Sequence, residues 1–145
     1  MRAVLQRVTR ASVTVDGAVV GLLSGPGLVA LVGITHDDGP EQVAWTARKI
    51  RDLRIMPGEQ SVSELGAAVL VVSQFTLYGD ARKGRRPTWA AAAPGELSEP
   101  LYDALCAELE RLGTPVQRGV FGADMALELV NDGPFTVLLD SAEGR

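Results

Sequence analysis

Two short stretches of this chain put polar groups where a backbone can do chemistry. Val69-Leu70-Val71-Val72-Ser73-Gln74-Phe75-Thr76-Leu77 reads as a buried-type strand that runs into Ser73, Gln74 and Thr76. On a strand, Ser73, Phe75 and Leu77 share one face, and Gln74 and Thr76 the other. Val130-Asn131-Asp132-Gly133-Pro134-Phe135-Thr136-Val137 sets a Gly-Pro pair between two β-like runs. Proline cannot donate to a sheet ladder, and glycine lets a backbone come close to a ligand. The first segment can bring donors to a site, and the second carbonyl acceptors. Together they suggest a pocket that works through main-chain groups. The polar cluster reads either as a strand end whose hydroxyls bond nearby backbone or as donors for a developing oxyanion. Thr76 is also a conceivable nucleophile. It needs an activating base, and none lies near it in sequence, so positioning ranks ahead of attack.

Other chemistries have little to stand on. His36 is the only histidine, at the end of an apolar run and before Asp37-Asp38-Gly39, where a turn or capping role ranks ahead of catalysis. One histidine and one cysteine, Cys106, do not build a usual zinc site, so no metal and no cofactor is expected. There is no GxGxxG or Walker-type loop, and no carboxylate pair stands out by spacing. A basic cluster does stand out. Arg82, Lys83, Arg85 and Arg86 lie in one segment with Gly79, Gly84 and Pro87. It is either a solvated loop or a phosphate-contacting loop on an acidic body.

Composition narrows the class. With 145 residues, 46% of them hydrophobic and 22% charged, the chain reads as one domain over residues 1–145 with a real core. The net charge of −4 argues against indiscriminate nucleic-acid binding but leaves a local basic site open. A single cysteine excludes an internal disulfide and points to a reducing cytosol. Met1 to Arg7 lacks the long apolar region of a signal peptide. The apolar stretch from Val19 to Ile34 is broken by Ser24-Gly25-Pro26-Gly27, which fits two strands and a turn better than a membrane span.

These groups need elements to position them. Residues 2–10 and 12–16 read as strands, with Val13 and Val15 alternating against Thr14 and Asp16, and Asp16-Gly17 marking a hairpin turn. Residues 19–23 and 28–34 continue the pattern. The latter is apolar throughout, as expected of a strand covered on both faces. Pro40 suits the first turn of a helix, and Val43, Ala47, Ile50 and Arg54 carry helical spacing to about Leu53. Ser98 reads as the cap of a second helix, with Leu101, Leu105, Leu109 and Leu112 on one stripe and Gly113 and Pro115 stopping it. Cys106 beside that stripe reads as a buried structural thiol. Strands near 115–121, 124–131 and 135–140 follow. The order predicts an α/β layered fold with largely antiparallel β-sheet and two main helices on one side.

Taken in order, the motifs resemble those of the D-aminoacyl-tRNA deacylase family over nearly the whole chain. Leu5-Gln6-Arg7-Val8 with Ala11-Ser12-Val13 is similar to the family's first hairpin. Ser73-Gln74-Phe75-Thr76-Leu77 matches its Ser-Gln-x-x-Leu motif, and Asn131-Asp132-Gly133-Pro134 with Thr136 its Asn-x-Gly-Pro-x-Thr motif. Gly119-Val120-Phe121-Gly122-Ala123-Asp124-Met125 resembles the segment that lines the adenosine pocket. Either short motif alone is weak. Both, in order and with matching flanks, are specific.

The resemblance implies a cytoplasmic, homodimeric hydrolase that cleaves the ester joining a D-amino acid to the 3′-terminal adenosine of tRNA. DNA and membranes are not among its implied partners. Ser73, Gln74, Phe75 and Thr76 then form the catalytic segment, and Phe121, Ala123 and Met125 the adenosine pocket. Gly133 and Pro134, joined by a cis peptide in the family, enter the partner subunit's site and hold the substrate's amino group. Arg7 and Asn131 support that motif, and Arg82, Lys83, Arg85 and Arg86 are expected at tRNA phosphates. An L side chain would collide with the Gly-Pro wedge, whereas glycine would pass. The missing base is then supplied by the terminal ribose hydroxyl.

Two places depart from the family's pattern. Residues 57–63, Pro-Gly-Glu-Gln-Ser-Val-Ser, replace a common Gly-Lys-Met-Asn run, and Phe135 stands where a smaller β-branched residue is common. Two rival classes stay open: a non-catalytic RNA-binding module using the basic loop, and a hydrolase with Thr76 or Ser73 as nucleophile.

Overall fold

The computed structural model describes residues 1–144 and is built around one long strand. Strand β1 (Arg2–Val15) pairs with β3 (Gly27–Gly33) through its first half and with β2 (Ala18–Leu23) through its second. Its other edge pairs antiparallel with β6 (Ala126–Asp140) along nearly its full length. Asp16 and Gly17 both have positive φ, 49° and 79°, the backbone that a two-residue hairpin with native twist demands. Residues 2–10 and 12–16, expected as two strands, are therefore one. Register shifts at Gln6/Val8 and Val8/Arg10 bend the β1–β6 ribbon without ending it.

Beyond β3 the sheet turns parallel. β4 (Ala68–Ser73) pairs with β3, and β5 (Val116–Arg118) with β4. Parallel neighbours need crossovers. Helices α1 (Pro40–Asp52) and α2 (Val62–Leu65) make the first, and α3 (Gly95–Arg111) the second. The sheet is thus mixed, with three antiparallel and two parallel pairings and two main helices.

The apolar strands have two covered faces. Leu28, Ala30, Val69 and Val71 pack toward Ile50, Leu105 and Leu109 of the helices. Val29, Leu70 and Val72 pack on the other side against Val8, Ala11 and Val13 of the bent ribbon. Alternate residues of one strand feed two separate cores, so neither face tolerates a polar side chain.

Element ends differ from expectation in identifiable ways. Pro40 opens α1 as expected. α3 begins at Gly95 after Pro94, not after Ser98. Ser98 sits buried in the first turn and its hydroxyl donates to the Pro94 carbonyl at 2.9 Å. The short α2 was not expected, although Ser61 and Glu64 cap each other's backbone in an S-x-x-E box. β5 covers only three residues of the 115–121 strand, and β6 runs unbroken where two strands were expected. Cys106 is fully buried beside Tyr102, and burial pushes its thiol up to about 11. Among the described residues no helix is long and apolar enough to cross a membrane.

Candidate active site

A pocket of about 440 Å³ opens at the carboxyl ends of β3 and β4. Crevices at the carboxyl ends of parallel strands are where sheets of this kind take ligands, because the crossovers leave space there. Val32 and Ile34 line it from the β3 side, and Val72 and Ser73 from β4. Ala93, Gly95 and Ser98 contribute the start of α3. Tyr102 ties that helix to β4 by donating its hydroxyl to the Val71 carbonyl at 2.9 Å.

The opposite wall is the turn before β6. Gly122 has φ of 74°, and the Ala123 N–H donates to the Val120 carbonyl at 3.2 Å. Phe121, Ala123, Asp124 and Met125 all line the pocket from this turn. Phe121 is braced by Tyr102, with ring centroids 5.9 Å apart. Met125 packs closely over Gly119: a Cβ there would lie 2.6 Å from the Met125 sulfur and would shift that side chain.

The chain leaves β4 sharply. The Gln74 N–H donates to the Val32 carbonyl at 2.7 Å, and Phe75–Tyr78 then form a 3₁₀ turn. The expected strand through Leu77 ends at Ser73, because its partner β3 ends at Gly33 and the ladder has nothing further to pair with. The alternation of faces over residues 75–77 does not hold. What the turn offers instead are backbone donors, since the first N–H groups of a helical turn have no acceptor within it. Here those groups belong to Phe75 and Thr76. The Gln74 amide donates to the Thr76 hydroxyl, and Thr76 is exposed rather than part of the pocket wall. His36 is exposed in the turn where the Asp38 N–H donates to the Thr35 carbonyl at 3.2 Å, and its ring contacts the distant Ala90 carbonyl at 3.0 Å. Among the described residues no cluster of three or more histidine, cysteine or carboxylate groups could hold a metal.

The Gly-Pro motif is a loop pinched out of β6. Asn131 closes its neck. The Asn131 Oδ1 accepts from the Phe135 N–H at 2.8 Å, and its Nδ2 donates to the Phe135 carbonyl at 3.0 Å and the Arg7 carbonyl at 3.3 Å. One side chain thus stands in for the ladder partner that residues 132–134 cannot supply. Gly133 has φ of 131°, a conformation L residues rarely adopt, and the Gly133–Pro134 peptide is cis. Arg7 lies across the loop. Its Nε donates to the Asp132 carbonyl at 3.1 Å, its Nη1 reaches the Ile55 carbonyl at 3.3 Å, and its guanidinium sits 4.9 Å over the Phe135 ring.

Within one chain these parts form two groups. Arg7 pairs in register with Leu28 near the start of β3, whereas the pocket reaches Val32 and Ile34 at its end. Val32 lies four residue steps along the strand from Leu28, roughly 13 Å at the usual rise. The structure brings together Ser73, Gln74, Phe75, Phe121, Ala123 and Met125. Gly133, Pro134, Arg7 and Asn131 form a second cluster away from that pocket.

The basic segment is a closed loop. Asp80 and Thr88 exchange backbone hydrogen bonds at 2.9 Å. The Arg82 guanidinium donates to both Asp80 oxygens, at 2.9 and 2.6 Å, and holds that carboxyl at about 2. Arg82 therefore shapes the loop. Lys83, Arg85 and Arg86 are exposed and make no ion pair among the described residues. Trp89 follows the loop and stands edge-on to Phe75, ring centroids 5.3 Å apart. In the sequence the only signal for Trp89 is an aromatic residue three positions after Arg86, the last of the basic run.

A family model described as D-Tyr-tRNA(Tyr) deacylase matches residues 4–140. A curated protein of Kineococcus radiotolerans named D-aminoacyl-tRNA deacylase is 64% identical over 141 residues, covering 97% of this chain and all of that protein. Among solved structures, one described as c-Myc DNA Unwinding Element Binding Protein is 38% identical with a TM-score of 0.91, covering 97% of this chain and 99% of the other. Another, described as a probable eukaryotic D-amino acid tRNA deacylase, shares the fold with a TM-score of 0.83 at 20% identity, over 95% of this chain and 97% of the other.

Proposed function

The chain belongs to the D-aminoacyl-tRNA deacylase family, and from that premise we propose that it hydrolyses the ester between a D-amino acid and the 3′-terminal adenosine of tRNA. The observation that carries the finer reading is the separation of two main-chain devices. A pocket with free backbone donors lies at one end of β3, and a carbonyl-bearing wedge lies near the other. Neither is complete alone. A symmetric dimer that seats one protomer's Gly133-Pro134 over its partner's pocket completes two sites at once.

The surface supports such a dimer. The outer edge of β6 pairs with no strand among the described residues, and Leu138 on it is 76% exposed. An open strand edge is ordinarily covered, since it otherwise pairs with whatever it meets, and a large apolar side chain exposed beside it suits a contact surface.

In the completed site the adenosine lies against Phe121, Ala123 and Met125. The ester carbonyl points at the Phe75 and Thr76 N–H groups, which stabilise the oxyanion formed when water attacks. The carbonyls of Gly133 and Pro134 hold the amino group. Collapse of the tetrahedral intermediate expels the 3′-oxygen, which takes up a proton. The neighbouring 2′-hydroxyl assists the proton transfer, so the protein needs only to orient and to stabilise. An L side chain meets the wedge, a D side chain points away from it, and glycine has nothing to exclude. A side activity on glycyl-tRNA follows. The single domain works in the cytoplasm, where aminoacyl-tRNA is found.

A threonine nucleophile fits less well. The Thr76 hydroxyl is already engaged by Gln74, and the one carboxylate lining the pocket is Asp124. The decisive experiment compares matched D- and L-aminoacyl-tRNA with purified protein. Release of the D-residue alone is expected, and equal rates on both or no D-release sinks the assignment. A tRNA ending in 2′-deoxyadenosine should be cleaved far more slowly, and a normal rate would refute ribose assistance.

A further inference from the structure

Beside the pocket stand two large aromatic side chains that the proposed chemistry does not use. Phe75 is 56% exposed and Trp89 42% exposed, although each could have been buried. Trp89 is not loose. Its ring lies on the backbone of Gly79, where a Cβ would come within 2.6 Å of the indole. The residue before it is held by the Asp80–Thr88 bridge, and its own carbonyl accepts from Ala92 at 2.9 Å. Phe75 braces it at an interplanar angle of 78°. The indole is thus fixed on one side and open on another. Phe75 also lines the pocket, so the pair stands at its mouth.

The same segment carries charge. Lys83, Arg85 and Arg86 project from the closed loop that ends at Trp89. Fixed aromatic faces next to unpaired cations are the elements of a single-strand nucleic-acid groove. Bases stack on the rings, cations meet the phosphates, and no base identity is read. Resting on the deacylase reading, we propose that Phe75 and Trp89 form a stacking platform for the unpaired nucleotides preceding the terminal adenosine, with Lys83, Arg85 and Arg86 on their phosphates. The pocket then holds the last nucleoside while the platform sets the direction from which the strand enters. A site that stacks without reading suits an enzyme that must serve many tRNA bodies.

The test separates platform from pocket by substrate length. W89L removes the π-face and keeps apolar bulk, and W89F restores a ring. Each variant is assayed on D-aminoacyl-tRNA and on the D-aminoacyl ester of adenosine alone. The expected result is a loss in kcat/KM of roughly tenfold or more for W89L on tRNA, carried by KM. The adenosine ester should be cleaved at the wild-type rate, and W89F should recover most of the loss. In W45F, which leaves Trp89 as the sole indole, a CCA oligonucleotide should quench the fluorescence. Equal loss on both substrates would show that Trp89 shapes the pocket and would overturn the proposal. So would unchanged tRNA kinetics, an unquenched indole, or a W89L protein that has lost its dimer. A wild type inert on tRNA and adenosine ester alike would instead remove the deacylase reading on which the platform rests.

Discussion

Phe135 shows what a single side chain adds to a device made of backbone. Its ring lies under the Arg7 guanidinium at 4.9 Å, and Arg7 in turn holds the Asp132 carbonyl. A cation over an aromatic face at a partly exposed site is worth about 0.5–1 kcal/mol. F135V should therefore loosen Arg7 and lower the D/L rate ratio a few-fold, with little change in melting temperature, and F135Y should restore it. An unchanged ratio would leave Phe135 as mere bulk. Asn131 matters more. N131A opens the neck of the loop and removes two hydrogen bonds to the Phe135 backbone, each worth about 0.5–1.5 kcal/mol. D-ester cleavage should fall by tenfold or more, measured alongside the unfolding midpoint. D124N should keep nearly full activity, because a true general base contributes about 10²–10⁴-fold. Asn131 and Gly133 stand out in the sequence by their likeness to a family motif; part of what they do is local, Asn131 bonding Phe135 four positions on and Gly133 adopting its positive φ, while the Asn131 bond to the Arg7 carbonyl depends on the fold. Trp89 does not, because exposure depends on what the rest of the chain leaves uncovered.

At the level of elements, periodicity located the strands and helices but misjudged their ends. Gly133-Pro134 reads as a break because proline cannot donate to a ladder. The Asn131 side chain bridges the gap, and β6 continues to Asp140. Ser73-Gln74-Phe75-Thr76-Leu77 reads as strand because its residues suit a sheet, yet β3 stops first. Helix α3 was recognisable from its apolar stripe, and that stripe fixes the environment of Cys106. Burial raises its thiol from the ordinary value near 9 to about 11. The unfolded chain therefore releases that proton at lower pH than the folded one. Stability should be unaffected below pH 9 and should decline as pH rises toward 11. Thermal melts of the wild type and C106A across that range should show a shallower decline in the variant. A thiol reagent at pH 8 should label the native protein only as fast as it unfolds.

For the whole molecule, the proposed dimer turns on where two half-sites meet. Nothing in the spacing of Ser73 and Gly133 shows that they lie near opposite ends of β3. Distance within a fold depends on strand register, and the bent β1 that sets it read as two strands. A mixed dimer tests the arrangement directly. A pocket-blocked F121R chain and a wedge-altered G133A chain should each be nearly inactive alone. Co-assembled, they should regain one working site per mixed dimer, up to about half the activity of the wild-type pair. No recovery despite mass-verified mixed dimers would place the wedge in its own protomer's site. The Asn131 clamp around Gly133 has a consequence for mutational history. A filter whose working atoms are main-chain carbonyls carries no selective side chain of its own, so substitutions in bracing residues such as Phe135 shift selectivity only slightly. Most codon changes around it leave the carbonyls in place, while changes at Gly133 or Asn131 displace them altogether. Fidelity in such a protein should drift little over long descent and then fail abruptly, and any retuning toward new substrates must come from the residues that brace the loop.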